Sequence, residues 1–404
     1  MTVFRALRNR TFAALWLGQT LSRIGDFTYE LALAWWVLKK TGSPQATSLV
    51  LIFALTPSVL FSLLGGVAAD KFARAWLMLG SDIARGVVAL AVALLSASGR
   101  LEVSHLYVAS LLFGFLDAFF QPAYAALVPQ LISEDERPSA TALTGISMSL
   151  GRIAGPAIGA GLVAALGPTL AFSINAVTFF VSSLLLLPAL GVRLPKAAIP
   201  HEAPLWQSLG EGFRTVRRQR WLWVSIVLFA LTNITLVAPY CVCMPYLVTQ
   251  VRHAGVGTLG ILYAAFPLGY LLGGLWLGRL PRLRRRGLVM HGAMALAATM
   301  LALLGTRLPL PVLLVAALIN GVALEANNLA WMGLLQEKIP PEQQGRVFSI
   351  DAMGSLALLP LGLALVGWGA VVLGPDKIFL LGGSVTTLLS LFVLVSVPSL
   401  RQLD

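Results

Sequence analysis

Long apolar runs, separated by short polar turns, repeat along the whole chain. A membrane-crossing helix needs ~20 mostly apolar residues. By that measure twelve segments qualify, at roughly 11–38, 45–69, 76–98, 104–128, 138–166, 169–189, 221–248, 256–279, 288–306, 310–335, 345–372 and 377–398. The runs are continuous and not ~10-residue stretches of alternating polarity, which argues against an outer-membrane barrel. The first run holds Arg23, Asp26 and Glu30 and is followed by no small-residue cleavage site, so it is not read as a secretory signal.

One stretch breaks the rhythm. Residues 190–220 contain Pro195, Pro200, Pro204 and eight charged side chains, with six predicted spans before it and six after. The expected organisation is therefore an N-terminal half over 1–189, a cytoplasmic linker over 190–220 and a C-terminal half over 221–404. Within the linker, Leu205, Leu209, Phe213 and Val216 fall at helical spacing with basic residues opposite. That pattern predicts an amphipathic helix on the inner membrane surface. The halves also share local patterns. Gly65-Gly66-Val-Ala-Ala-Asp70-Lys71 recurs as Gly273-Gly274-Leu-Trp-Leu-Gly278-Arg279, and Leu127-Val-Pro-Gln-Leu-Ile-Ser-Glu-Asp135 as Leu334-Leu-Gln-Glu-Lys-Ile-Pro-Pro-Glu342, at offsets of 208 and 207. The fold class predicted is an all-α polytopic membrane protein with twelve transmembrane helices in two six-helix pseudo-symmetric halves, an arrangement used by transporters.

Composition agrees. The chain has 404 residues, 57% hydrophobic and 11% charged, against about 25% charged in soluble proteins, and a mean hydropathy of +0.83. Two cysteines, Cys241 and Cys243, exclude a disulfide scaffold and cannot alone hold a metal. The net charge of +12 would suit nucleic acid if the basic residues clustered on one exposed face. Their placement decides otherwise. With the N-terminus inside, cytoplasmic regions hold 20 Lys and Arg and the opposite loops six, while Arg23, Arg85 and Arg152 fall in spans. This bias puts both termini inside and removes the nucleic-acid reading. The basic run at 282–286 reads as a headgroup anchor.

The loop Gly66-Val-Ala-Ala-Asp70-Lys71-Phe-Ala73-Arg74, the segment Ala118-Phe-Phe-Gln-Pro122-Ala, Leu127-Val-Pro129 and Gly345-Arg346-Val347 carry a resemblance. The chain resembles the major facilitator superfamily over nearly its whole length, and within it the branch of macrolide-efflux and siderophore-exporter-like proteins. Ala73 and Ala75 depart from the usual loop signature. The resemblance implies that this loop, with Gly66, Asp70, Lys71 and Arg74, is a cytoplasmic gate latching the two halves. Asp351, about two turns into span 11, would pair with Lys71 or Arg74. A plain helix cap is the alternative. Gly278 stands where Asp70 would repeat, so the second half is expected to lack a matching acid. In span 5, Gly151, Gly155 and Gly159 recur every four residues beside Pro156. Such a face admits a close helix neighbour and is similar to the span-5 motif of superfamily antiporters; generic small-residue packing is the other reading.

Ionisable groups deep in spans are costly, by roughly 2.5–3.5 kcal/mol each at mid-membrane, and are functional candidates by default. Helical rise puts Asp26, Asp117, Arg152 and Glu325 each ~20 Å from the start of its span. Glu30 shares a face with Asp26, Gln121 with Asp117, and Asn328 with Glu325. The resemblance implies that spans 1, 4, 7 and 10 line a central cavity. Asp26, Glu30, Asp117 and Glu325 all lie on three of these. Further substrate-binding candidates are Arg23, Tyr29, Asn233, Tyr240 and Trp331; for Trp331, packing in the span is the rival reading. Arg152 is expected to compensate Asp117 or Asp26, and Arg23 to do the same for Asp26. Asp82 and Arg85, at i and i+3, read as a local structural pair. Two positive and four negative groups cannot all stay ionised in such a cavity, and a carboxylate that takes and releases a proton is what proton coupling needs. Asp26 is the first candidate, then Glu325, then Asp117. The rival view makes these acids salt-bridged, helix-positioning groups.

No phosphate loop, zinc-ligand pair or nucleophile elbow occurs, so no enzyme, metal or cofactor is expected. The function expected is a secondary active transporter with alternating access. It would be a proton-coupled antiporter, exporting amphipathic small molecules across the cytoplasmic membrane as a monomer, with export implied by the resemblance. An importer or uniporter of a small metabolite, or a lipid or lysolipid transporter, is the alternative.

Overall fold

The apolar runs fold as helices wherever the chain is described, which in this computed structural model covers residues 3–191, 205–279, 284–401 and 403. The first six long helices are α1 (Arg10–Thr41), α2 (Pro44–Lys71), α3 (Arg74–Ala97), α4 (Val103–Leu131), α5 (Arg137–Leu166) and α6 (Pro168–Leu190). A shorter helix, α7 (Leu205–Arg218), precedes six more. These are α8 (Arg220–Val251), α9 (Val256–Leu277), α10 (Arg286–Leu304), α11 (Leu310–Lys338), α12 (Gln343–Leu373) and α13 (Pro375–Ser396). Eleven of the twelve long helices are long and apolar enough to cross a bilayer. The twelfth, α1, spans 32 residues and carries Arg23, Asp26 and Glu30 within it. The chain is a multi-pass membrane protein, with twelve long helices among the described residues.

Local chemistry sets the helix ends. The Asn9 side chain accepts from the Phe12 amide at the start of α1, satisfying a donor that has no partner inside the helix. Gly42 closes α1 in the left-handed region at φ 60°, a conformation that favours glycine. Pro44, Pro168 and Pro375 open α2, α6 and α13, where a missing N–H costs nothing.

The chain divides into two compact units, 1–198 with 255–264, and 199–254 with 265–404. In the first, α1 packs on α5 and α6, α3 on α4 and α6, and α2 on α4. In the second, α8 packs on α12 and α13, and α10 on α11 and α13. There α9 crosses α11 so closely that a Cβ at Gly269 would lie 2.0 Å from the Leu318 carbonyl oxygen. Each unit thus repeats the other's internal pairing, which the weak sequence offsets only hint at.

The predicted linker lies partly outside the described residues, over 192–204. Past it, Val216 of α7 is buried with Trp221 and Leu222, and Thr215 donates to Gln343 Oε1 at 3.1 Å. Phe213, Arg214, Arg217 and Arg218 are exposed. The side chains of Leu205 and Leu209 lie outside the described residues. Helix α8 contains two π-helical stretches, Asn233–Val237 and Leu247–Val251. Wide turns of this kind recur at functional sites.

Candidate functional site

Helix α1 presents Gln19, Arg23 and Asp26 at helical spacing, and the glycines of α5 let it lie close. A Cβ at Gly155 would sit 2.4 Å from Phe27 Cβ, while those at Gly151 and Gly159 would meet Phe27 at 3.0 Å and the Thr28 carbonyl at 2.9 Å. Pro156 is buried in the same helix. The Thr28 hydroxyl also donates to the Gly155 carbonyl at 3.1 Å. The α5 glycines therefore seat the stretch of α1 that bears Asp26.

The charged centre of the first unit is Arg85, on α3. Its Nη2 lies 2.5 Å from Asp82 Oδ1 and its Nη1 3.9 Å from Asp117 Oδ1 on α4. The guanidinium sits over Phe120 and Phe179, 4.3 and 4.8 Å from their centroids, a favourable cation–π arrangement. Asp82, fully buried, also accepts from Ser182 Oγ at 2.8 Å and Gln19 Nε2 at 3.3 Å. Asp117, 34% exposed, accepts from Gln121 at 2.9 Å and Ser58 at 3.3 Å. Asp26 lies within electrostatic reach of Arg85, Asp82 and Asp117 and faces Asn175 of α6. Asn175 Nδ2 closes no good hydrogen bond, and the Tyr29 hydroxyl, its ring stacked between Phe113 and Phe172, is also buried without a partner.

Two expected pairings change. Arg85, not Arg152, is the guanidinium at Asp117; Arg152 is exposed, and the carboxylate that feels its charge is Glu30, itself exposed. Arg23 does not serve Asp26. Its Nη1 points to the Met148 sulfur at 3.4 Å and its guanidinium lies 5.8 Å from the Tyr124 ring. The causes are contacts between helices distant in sequence: α3 carries Arg85 to Asp117 of α4, and α6 presents Asn175 to Asp26 of α1. Asp82 and Arg85 do pair locally, but the local pair is only half of Arg85's environment.

At the end of α2, Asp70 is 64% exposed and 3.9 Å from Arg74. Arg74 donates mainly to carbonyls, Ala69 at 3.1 Å and Ala126 at 3.2 Å, tying α3 to α4. Lys71 is exposed. The glycine that close packing requires is Gly65, whose Cβ would fall 1.9 Å from the Ala118 carbonyl oxygen; nothing lies within 4 Å of a Cβ at Gly66. In the second unit Gly278 offers no acid where Asp70 would repeat, as expected, and an ion pair forms elsewhere. Glu337 of α11 pairs with Arg286 at the start of α10.

Also in the second unit, Glu325 is 8% exposed, accepts from Asn328 at 3.3 Å and is hydrogen-bonded by Tyr270. A Cβ at Gly274 would come within 3.2 Å of Glu325 Oε1, so the repeated glycine pair makes room for this carboxylate. Trp331 is a packing residue: it is 5% exposed, edge-on to Trp221 and Phe229. Its indole donates to Asp351 Oδ2 at 2.9 Å. The sequence pairs Asp351 with a cation; within its own unit this neutral donor holds it and, at 3.4 Å, so does Ser355. Asn233 is likewise engaged, donating to the Ser355 carbonyl at 2.6 Å. Tyr240 packs on Phe266, 5.7 Å between centroids. Among the described residues no group of three His, Cys, Asp or Glu is placed to hold a metal ion.

Sequence reasoning missed Gln19, Asn175, Ser182 and the shared role of Arg85. Asn175 was legible as a polar residue inside an apolar span; the others looked satisfied or neutral.

Two units with matching internal helix pairing and ionisable side chains inside their spans are an arrangement used by transporters. The family model described as transmembrane secretion effector matches residues 1–404, and the chain belongs to this family of major facilitator superfamily transporters. It is 24% identical over 400 residues to macrolide efflux protein A of Streptococcus pyogenes, covering 97% of both chains. It is 29% identical over 407 residues to the multidrug efflux pump Tap of Mycolicibacterium fortuitum, covering 97% of this chain and 96% of that one. With the enterobactin exporter EntS of Citrobacter koseri the identity is 29% over 354 residues, 81% and 82% of the two chains. The fold matches the nucleoside transporter NupG, TM-score 0.76 at 13% identity, over 95% of this chain and 98% of that one.

Proposed function

We propose that this transporter is an exporter of amphipathic small molecules, driven by protons moving inward, in the cytoplasmic membrane with both termini inside. Export is supported by the efflux relatives, whose names include a macrolide and a multidrug pump. The observation that carries proton coupling is the first unit's charge imbalance. Asp82 and Asp117 flank one guanidinium, that of Arg85, and Asp26 lies within electrostatic reach of it. Three carboxylates and one cation in a low-dielectric interior are costly unless protons or other cations are taken up. The exposed side of Asp117 and Gln121 is then a face that meets water or substrate, because opening a carboxylate onto hydrocarbon is unfavourable.

Coupling follows by competition. A proton on Asp26 releases substrate outside, and its loss to the cytoplasm restores substrate affinity. Asp70, Lys71, Arg74 and Asp351 would gate the cytoplasmic side, and α7 would lie on the inner membrane surface through Phe213 and its arginines. Glu325 is the corresponding proton candidate in the second unit. The protein acts as a monomer. Everted membrane vesicles test direction: energised vesicles should accumulate a fluorescent amphipath, and uptake by right-side-out vesicles instead would overturn export.

A further inference from the structure

Arg85 is held unequally by its two acids. Asp82 takes one arm at 2.5 Å and is itself fixed by Ser182 and Gln19. Asp117 is 3.9 Å from the other arm, and its hydrogen-bonding partners, Gln121 and Ser58, are neutral. The Phe120 and Phe179 rings confine the guanidinium without supplying an acceptor, and the buried Arg85 Nε has no partner. Asp117 is the one acid of this pair with an open side. A carboxylate so weakly engaged by its own cation can exchange it for another, while Asp82 keeps the displaced guanidinium neutralised.

We propose that Arg85 is the resident counter-ion that Asp117 gives up for a substrate's ammonium group, and that Asp82 retains Arg85 when the ammonium takes its place. The substrates would be amphipaths bearing a protonated amine. This rests on the transport reading above, because it needs Asp117 to face the substrate path. Asp26 on α1 also lies within electrostatic reach of the cluster and adds to the attraction for a cation, with Tyr29 and Glu30 beside it.

The test is equilibrium binding to the full chain in nanodiscs, without any gradient. The probes are a diaminohexane dansylated on one nitrogen, cationic at its remaining free amine, and the matching N-dansyl aminohexanol. The wild type should bind the amine roughly tenfold more tightly than the alcohol, the scale of a charge-assisted hydrogen bond. Asp117→Asn should erase that preference with little change for the alcohol. Asp82→Asn should also reduce it, although Asp82 is buried, because Arg85 is then free to close on Asp117. The Asp82→Asn/Arg85→Gln double variant removes both buried charges together, which protects folding, and should raise the amine preference above wild type. Arg85→Lys should keep it. A merely structural Arg85 would move both probes equally. An amine preference unchanged in Asp117→Asn and in the double variant overturns the proposal. Failure of proton coupling in a transport assay would leave the binding result standing, so the two ideas fail separately.

Discussion

Replacing Gly155 with alanine should loosen the seat of α1. The added Cβ would lie 2.4 Å from Phe27 Cβ and 3.1 Å from the Ile24 carbonyl, where carbon atoms rest at about 3.5–4.0 Å. The helices must separate by roughly 1 Å, and Gly151 and Gly159 prevent α1 from yielding at one point only. Overpacking of this kind costs about 1–3 kcal/mol. A loss of ~2 kcal/mol lowers Tm by about 4–8 °C for a body of this size. Gly161 is the control on the same helix. Nothing lies within 4 Å of a Cβ there, so Gly161→Ala should be neutral or gain up to ~1 kcal/mol of helix propensity. Both variants are compared by thermal unfolding in detergent and by efflux of a fluorescent amphipath. Because Phe27 adjoins Asp26, Gly155→Ala should also lower transport. Equal Tm and equal transport in the two variants would refute the seating of α1 by α5.

Gly65→Ala should destabilise by a similar amount through its clash with the Ala118 carbonyl, whereas Gly66→Ala should not; detergent melting curves decide this. Asn9→Ala removes the cap of Phe12 and a 2.6 Å bond to the Leu131 carbonyl, and should cost about 1–2 kcal/mol, read as a lower Tm. Trp331→Phe keeps ring contacts with Trp221 and Phe229 but strips Asp351 of its indole donor, costing ~1–3 kcal/mol; adding Asp351→Asn should cost little more, measured as a double-mutant cycle. Asp135 is held below the usual carboxylate range by the Ser133 hydroxyl, then by its backbone amide and Arg5. A depressed carboxylate stabilises above its unfolded value and loses this as pH falls through its folded one. The protection of amides around Arg5 and Ala6, each rate taken relative to an unstructured chain at the same pH, should therefore fall in acid in the wild type, and Asp135→Asn should remove that pH dependence.

The helices were legible because a bilayer demands long apolar runs; the sidedness that the clustering of basic residues predicts belongs with the proposed function. Asp26, Asp117 and Glu325 stood out because ionisable groups are rare at such depth. What could not be read was who meets whom. Arg85 looked settled by Asp82 three residues away, and its second acid lies 32 positions further along the chain, on another helix. Asp351 suggested a cation because an acid invites one; its main partner is an indole donor 20 residues away. In the loop signature the conspicuous glycine was Gly66, yet crossing geometry puts the demand on Gly65. Arg286 at the start of α10 pairs with Glu337, 51 residues along the chain on another helix, a contact that local pattern matching does not follow.

Proton movement in proteoliposomes tests the mechanism most directly. Protein of known orientation, loaded with an internal pH dye, is exposed to a cationic amphipath, with Asp26→Asn beside the wild type. Antiport through the acid cluster predicts substrate-dependent proton flux in the wild type that is abolished or reduced at least tenfold in Asp26→Asn. Substrate transport without proton movement, or coupling that survives intact in Asp26→Asn, would contradict it.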